Sequence, residues 1–191
     1  MEAKILHYKN KLSPQTANTS PESQALRSPL ILRMPRAEDG PLVTALIEAC
    51  APLDRNSAYC NLLQCSHFAG TCVIAESDGE LAGWLSGYKL PDAPDKIFVW
   101  QVGVHPSARG QGLGLLMLDA LMARPASRTV DRLLTTITQD NTASWNMFAS
   151  FARRRGAEIG KSIHFEQALH FAGTHASEYM VSIGPLTQKN S

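Results

Sequence analysis

The 191-residue chain lacks several features that would assign its class directly. No apolar run reaches the ~20 residues of a membrane-spanning helix, and the N-terminus has no apolar core of the secretory kind. A cytoplasmic location is the expectation. An excess of one charge is also missing. The 18 basic and 17 acidic residues leave a net +1, so no basic footprint points to nucleic acid or a membrane surface. The four cysteines, Cys50, Cys60, Cys65 and Cys72, contain no C-x-x-C pair. Cys60, Cys65 and His67 lie close in sequence, but their spacing matches no zinc pattern, and they read as reduced packing thiols. The histidines at 164, 170 and 175 likewise have no ligand spacing of a helical pair. No metal is expected.

What is present fits one α/β domain. Hydrophobic residues make up 44% and charged residues 18%, enough for a substantial core. Two domains would be cramped at this length. Residues 1–28, with Ser13-Pro14, Ser20-Pro21 and little apolar periodicity, read as a flexible tail, and residues 29–188 as the folded domain. Leu30–Met34 reads as a strand. A helix follows near Glu38–Cys50 with Leu42, Leu46 and Ile47 on one face, then a second helical region over Leu53–His67. Ser77-Asp78-Gly79-Glu80 is a hairpin turn between strands Thr71–Glu76 and Leu81–Tyr88. Ile97–Val104 reads as a strand with Phe98, Trp100, Val102 and Val104 on one face. Helices are expected after Gly112 and over Asn141–Arg155, the latter with Trp145, Phe148, Ala149 and Ala152 on one side. A strand at Leu133–Thr138 separates them, and one or two strands with a His-rich loop follow. The order predicts a mixed central sheet flanked by helices.

The stretch from Val102 to Gly114 is the most informative. It is a strand, then Arg109-Gly110-Gln111-Gly112-Leu113-Gly114, then an amphipathic helix. Such a turn presents backbone N–H groups at a helix N-terminus, where the helix dipole also favours phosphate. Glycine lets the backbone approach the anion with no Cβ between. A dinucleotide fingerprint would need glycine at 115, which is Leu115, and no Gly-Lys-Ser/Thr exists for a P-loop. The pattern Arg109-x-x-Gly112-x-Gly114 instead resembles the pyrophosphate loop of the GNAT superfamily of N-acetyltransferases, which holds coenzyme A. Asn141 opens the next helix, with Ser144 and Phe148 on its side, and resembles the asparagine that bonds the pantetheine arm there. An ordinary N-cap is the alternative for Asn141.

A closer resemblance spans roughly residues 30 to 186. Leu53-Asp54-Arg55-Asn56-Ser57-Ala58-Tyr59, Gly87-Tyr88, Phe98-Val99-Trp100-Gln101-Val102, Thr135–Thr138, Asp140-Asn141-x-Ala143-Ser144-Trp145 and His170-Phe171-x-Gly173-x-His175 are similar to the diaminobutyrate acetyltransferases of ectoine synthesis, enzymes that make a compatible solute under osmotic stress. The resemblance implies acetyl-CoA as co-substrate, a homodimer, and a small-molecule amine as acceptor. It places Asp54, Tyr59 and Trp100 around diaminobutyrate. It assigns Arg109, Gly110, Gln111, Gly112, Gly114, Asn141, Ser144 and Phe148 to coenzyme A, and the backbone of Val102 and Val104 to the thioester. Ala176 departs from the pattern, which has an acidic residue there.

Read from chemistry alone, Asp54 is either a helix N-cap or the partner of a substrate ammonium. Trp100 and Tyr59 are either packing residues or walls of a site. An alkyl amine with a pKa near ~10.4 is only about 0.1% neutral at pH 7.4, so a carboxylate or water must take its proton. Chemistry alone names no single base; the resemblance, which also sets Glu178 near the substrate, makes that residue the candidate. The alternatives are another amine acceptor (a polyamine, an aminoglycoside or a protein N-terminus) or a coenzyme A-binding module without catalysis.

Overall fold

The computed structural model describes residues 6–7 and 29–186. The flexible tail expected over 1–28 therefore lies outside the described residues, apart from the two of β1 (Leu6–His7). The chain then runs β2 (Ile31–Arg33), α1 (Gly40–Ala49), α2 (Ala58–Ser66), β3 (Val73–Ser77), β4 (Glu80–Leu90), β5 (Ala93–Val104), α3 (Leu113–Met122), β6 (Arg132–Thr138), α4 (Thr142–Arg155), β7 (Glu158–Phe165), α5 (Gln167–Phe171) and β8 (Glu178–Gly184). One mixed sheet has the order β1-β2-β3-β4-β5-β6-β8-β7. All neighbours are antiparallel except β5 and β6.

Local chemistry accounts for most of these elements. The β3–β4 hairpin turns through Asp78 and Gly79, both at positive φ, a conformation that Gly and Asp tolerate. Ser57 caps α2 by accepting from the Cys60 N–H at 3.1 Å. Asn141 caps α4 through Ser144, and Gly156 ends that helix in the left-handed region. Arg154 and Arg155 of α4 both pair with Asp119 of α3, tying the two helices together.

Helices cover both faces. One core packs α3 and α4 against the sheet through Met117, Leu118, Leu121, Phe148 and Phe151. The other packs α1 and α2 against it through Val43, Leu46, Ile47, Cys65, Cys72 and Trp84. Burial pushes the Cys65 thiol up to about 11 and the Cys72 thiol up to about 12, as befits packing thiols rather than reactive ones.

The structure corrects three details. Leu42 is exposed, and Val43 takes its place on the buried face of α1. On α4, Phe151 rather than Ala149 joins the core. Phe98, Trp100, Val102 and Val104 do not share a face of β5. Ile97 and Val99 pack on the α3/α4 core, yet so do Val102 and Val104. The β4–β5 register jumps from Ser86↔Gln101 to Gly87↔Val99, which leaves Trp100 as an extra residue. A bulge of this kind shifts the two-residue alternation by one. Gly87 permits it, because a Cβ there would meet the Phe98 carbonyl at 2.7 Å.

Candidate active site

β5 and β6 pair through only three residue couples, the last being Phe98↔Leu134. Beyond them β5 continues beside β4 and β6 beside β8. The two strands therefore part, and a cleft of about 1640 Å³ opens between them. Its walls come from the strand ends, the loop before α3, the first turns of α4, and the segment from His164 to Glu178.

The His105 N–H bonds the Ala82 carbonyl on the β4 side. Amide direction alternates along an antiparallel strand, so the N–H groups of Val102 and Val104 point away from β4, into the parting. The Val104 carbonyl accepts from Arg109 Nε at 3.2 Å and from the Cys50 thiol at 3.3 Å. Burial raises the Cys50 thiol pKa, so that sulfur stays protonated near neutrality.

Beyond the strand, Gly110 and Gly112 both have positive φ, and a Cβ on either would meet nothing within 4 Å. Gly112 caps α3, and among the described residues no side chain caps the first turn of the helix. The N-terminal amides are thus left for a ligand, and the open space in front of them is what a phosphate requires. Gly114 lines the same wall but also serves packing, since a Cβ there would collide with the Met147 sulfur. Gln111 is exposed, does not line the cleft, and bonds the Ser107 carbonyl at 3.4 Å. Asn141, Ser144 and Phe148 line the α4 wall. Asn141 caps the helix with its side-chain oxygen at 3.1 Å from the Ser144 N–H, and its Nδ2 remains a donor on that wall. Phe148 is 3% exposed.

The opposite wall carries the other predicted residues. Asp54 lines it and is not a cap, because Ser57 holds that position. The Asp54 carboxylate stands 4.0 Å from His175 Nε2. Trp100 is 48% exposed in the cleft and meets Tyr88 edge-on, with centroids 6.5 Å apart. Glu178 opens β8 opposite Thr138 and lines the cleft. Tyr59 is brought to none of these residues. It is 69% exposed on α2 and does not line the cleft.

Profile and structure comparisons describe similar proteins. The acetyltransferase (GNAT) family profile matches residues 42–152. An L-2,4-diaminobutyric acid acetyltransferase of Methylotuvimicrobium alcaliphilum is 48% identical over 86% of this chain and 95% of its own length. That of Vibrio cholerae is 46% identical over 85% and 93%. The solved diaminobutyrate acetyltransferase EctA of Paenibacillus lautus, in complex with its substrate L-2,4-diaminobutyric acid and coenzyme A, superposes with a TM-score of 0.80 at 34% identity. It covers 85% of this chain and 98% of that one.

The chain belongs to the diaminobutyrate acetyltransferase branch of the GNAT family.

In this family member several cleft residues had no role assigned from sequence. Asp140 lies beside Asn141, and a hydrogen bond from Thr138 holds its carboxyl below the usual range, so it stays charged. Phe165 packs between His164 and Phe171, and Phe171 packs on His175, so this segment forms an aromatic wall. Tyr88 and Gln101 lie in the segments of resemblance, which give neither an individual role. Their signal lay in strand alternation around an unforeseen bulge. Among the described residues no group of three His, Cys, Asp or Glu is arranged to hold a metal ion. No helix among them is long and apolar enough to cross a membrane.

Proposed function

We propose that this chain transfers the acetyl group of acetyl-CoA to the 4-amino group of L-2,4-diaminobutyrate, giving N4-acetyl-L-2,4-diaminobutyrate. The observation that carries the reading is one cleft with two unlike walls. One has an uncapped glycine-rich helix start suited to a diphosphate. The other has carboxylates and an indole suited to a small ammonium compound. Acetyl-CoA supplies an activated thioester, and the remaining work falls to residues of the chain. Amides of the Gly110–Gly114 loop hold the phosphates, and Asn141 and Ser144 hold the amide-bearing arm. The N–H groups of Val102 and Val104 stabilise the negative charge that develops on the thioester oxygen. Asp54 pairs with the ammonium that does not react, and Trp100 closes over the carbon chain. Glu178 accepts the proton that the attacking amine must lose, directly or through water. Holding amine and thioester together supplies much of the acceleration.

Thiol release measured across an acceptor panel tests this. Diaminobutyrate should exceed lysine, putrescine, aminoglycosides and peptide N-termini in kcat/KM by about a hundredfold, the scale on which a shaped pocket separates substrates of different chain length. Comparable rates for any of those would overturn the acceptor assignment.

Phe148 stands where many superfamily members carry a tyrosine that protonates the departing thiolate. A thiol pKa near ~8.5 makes the thiolate a tolerable leaving group without such an acid. Phe148→Tyr should therefore leave kcat and its alkaline limb unchanged. A several-fold rise in kcat with a new alkaline pKa would contradict this.

The reading also makes the chain a cytoplasmic homodimer serving ectoine synthesis under osmotic stress. Every residue of β7 is exposed, although the strand carries Ile159, Ile163 and Phe165, and exposed Leu169 follows on α5. An exposed edge strand that carries three large apolar side chains invites pairing, and a second copy offers an identical edge. Ile163→Lys should halve the mass measured by light scattering. A monomeric parent chain would exclude the dimer.

A further inference from the structure

The segments Leu53–Tyr59 and Phe98–Val102 meet in the fold through side chains that the reaction above does not use. Gln101 is 5% exposed and leaves β5 toward the loop between α1 and α2. Its Nε2 donates to the Asp54 backbone carbonyl at 2.7 Å, and its Oε1 accepts from Asn56 Nδ2 at 2.7 Å. Asn56 Nδ2 also donates to Asn61 Oδ1 at 3.2 Å. Asn61, fully buried, donates to Thr44 Oγ1 at 2.9 Å, and Thr44 donates to the Gly40 carbonyl at 2.9 Å. The chain of bonds thus runs from α1 through α2 to β5 and ends on the backbone of Asp54. Its polarity is fixed. Turning the Gln101 amide over would face its NH2 toward the NH2 of Asn56 and its oxygen toward the Asp54 carbonyl.

Asp54 needs such a hold. Its side chain is exposed, and the helix cap that would otherwise fix it is Ser57. Gln101 grips the loop on both sides of Arg55, at the backbone of residue 54 and the side chain of residue 56. Burial of the Gln101 amide makes its two bonds directional and costly to lose.

We infer that Gln101, acting with Asn56, is a positioning residue for the acceptor amine, and that it works by presenting the Asp54 carboxylate to the cleft. The inference rests on the acceptor role proposed for Asp54. A loop held in its bound conformation spares the substrate the ordering of that loop on binding, so the benefit falls on acceptor affinity. The amide pair makes no bond to the Gly110–Gly114 loop or to α4, the elements that hold the phosphates and the arm of the donor. Because Gln101 follows Trp100 directly, the same bulged segment of β5 sets both the indole and, through the amide pair, the carboxylate.

A double-mutant cycle on the full chain tests this. Gln101→Leu and Gln101→Glu should each raise KM for diaminobutyrate roughly fivefold or more, the effect of a lost buried hydrogen bond. The Kd for acetyl-CoA, measured by calorimetry, should move less than about twofold, within the spread of sites that share no partners. Gln101→Glu keeps the side-chain size and the acceptor for Asn56 but sets a carboxylate oxygen against the Asp54 carbonyl. It carries the comparison if Gln101→Leu folds poorly. In an Asp54→Asn background, either Gln101 change should add little, because its effect passes through that carboxylate. Full additivity in that background would overturn the inference, as would equal loss for both substrates. If Asp54→Asn alone leaves KM unchanged, the acceptor role of Asp54 fails first, visibly and without any Gln101 variant, and the inference falls with it.

Discussion

Gly112→Val should weaken acetyl-CoA binding by at least tenfold, a loss of about 1.4 kcal/mol or more. Two effects act in the same direction. Gly112 has φ +73°, a conformation that a β-branched residue adopts only under strain. Its missing Cβ also faces open space in front of the uncapped amides of α3, so valine would occupy the room meant for phosphate. Because that space is outside the core, the fold should survive with a modest drop in Tm. Calorimetry with acetyl-CoA is the direct check. Undiminished affinity in a folded variant would remove the loop from the donor site.

Asp54→Asn should raise KM for diaminobutyrate about tenfold or more while leaving the affinity for acetyl-CoA nearly unchanged. The substitution keeps shape and removes charge. Hydrogen bonds to a charged partner are typically worth about 1.5–3 kcal/mol, which sets that magnitude. The competing role as a helix cap no longer applies, since Ser57 caps α2. Steady-state kinetics with each substrate varied in turn measures the split. Equal losses for donor and acceptor would mean that Asp54 acts on the fold rather than on the amine.

Local signals made much of this fold readable. Asp78-Gly79 marked the hairpin, apolar periodicity marked α3 and α4, and the Arg109–Gly114 glycines marked the loop that opens on the cleft. What escaped was set by contacts distant in sequence. The bulge at Trp100 depends on how β4 meets β5 at Gly87, and no pattern within β5 announces it. Alternation without the bulge puts Val102 and Val104 on the face of Phe98, whereas the bulge sets them on the face of Ile97 and Val99. α5, at five residues, is too short to show helical periodicity. Tyr59 reads as a site residue in the similar segment, yet its place on the first turn of α2 turns it to solvent. The amide pair of Gln101 and Asn56 joins positions 45 residues apart, so only the fold reveals it.

Regiochemistry tests the central claim most directly. Diaminobutyrate labelled with nitrogen-15 at position 4 is incubated with acetyl-CoA and the full chain, and the product is followed by heteronuclear NMR. An amide proton correlated with the labelled nitrogen should appear in step with thiol release, and the 2-amine should stay unacetylated. Acetyl on the 2-nitrogen, or acetyl-CoA binding without acceptor-dependent thiol release, would contradict the account.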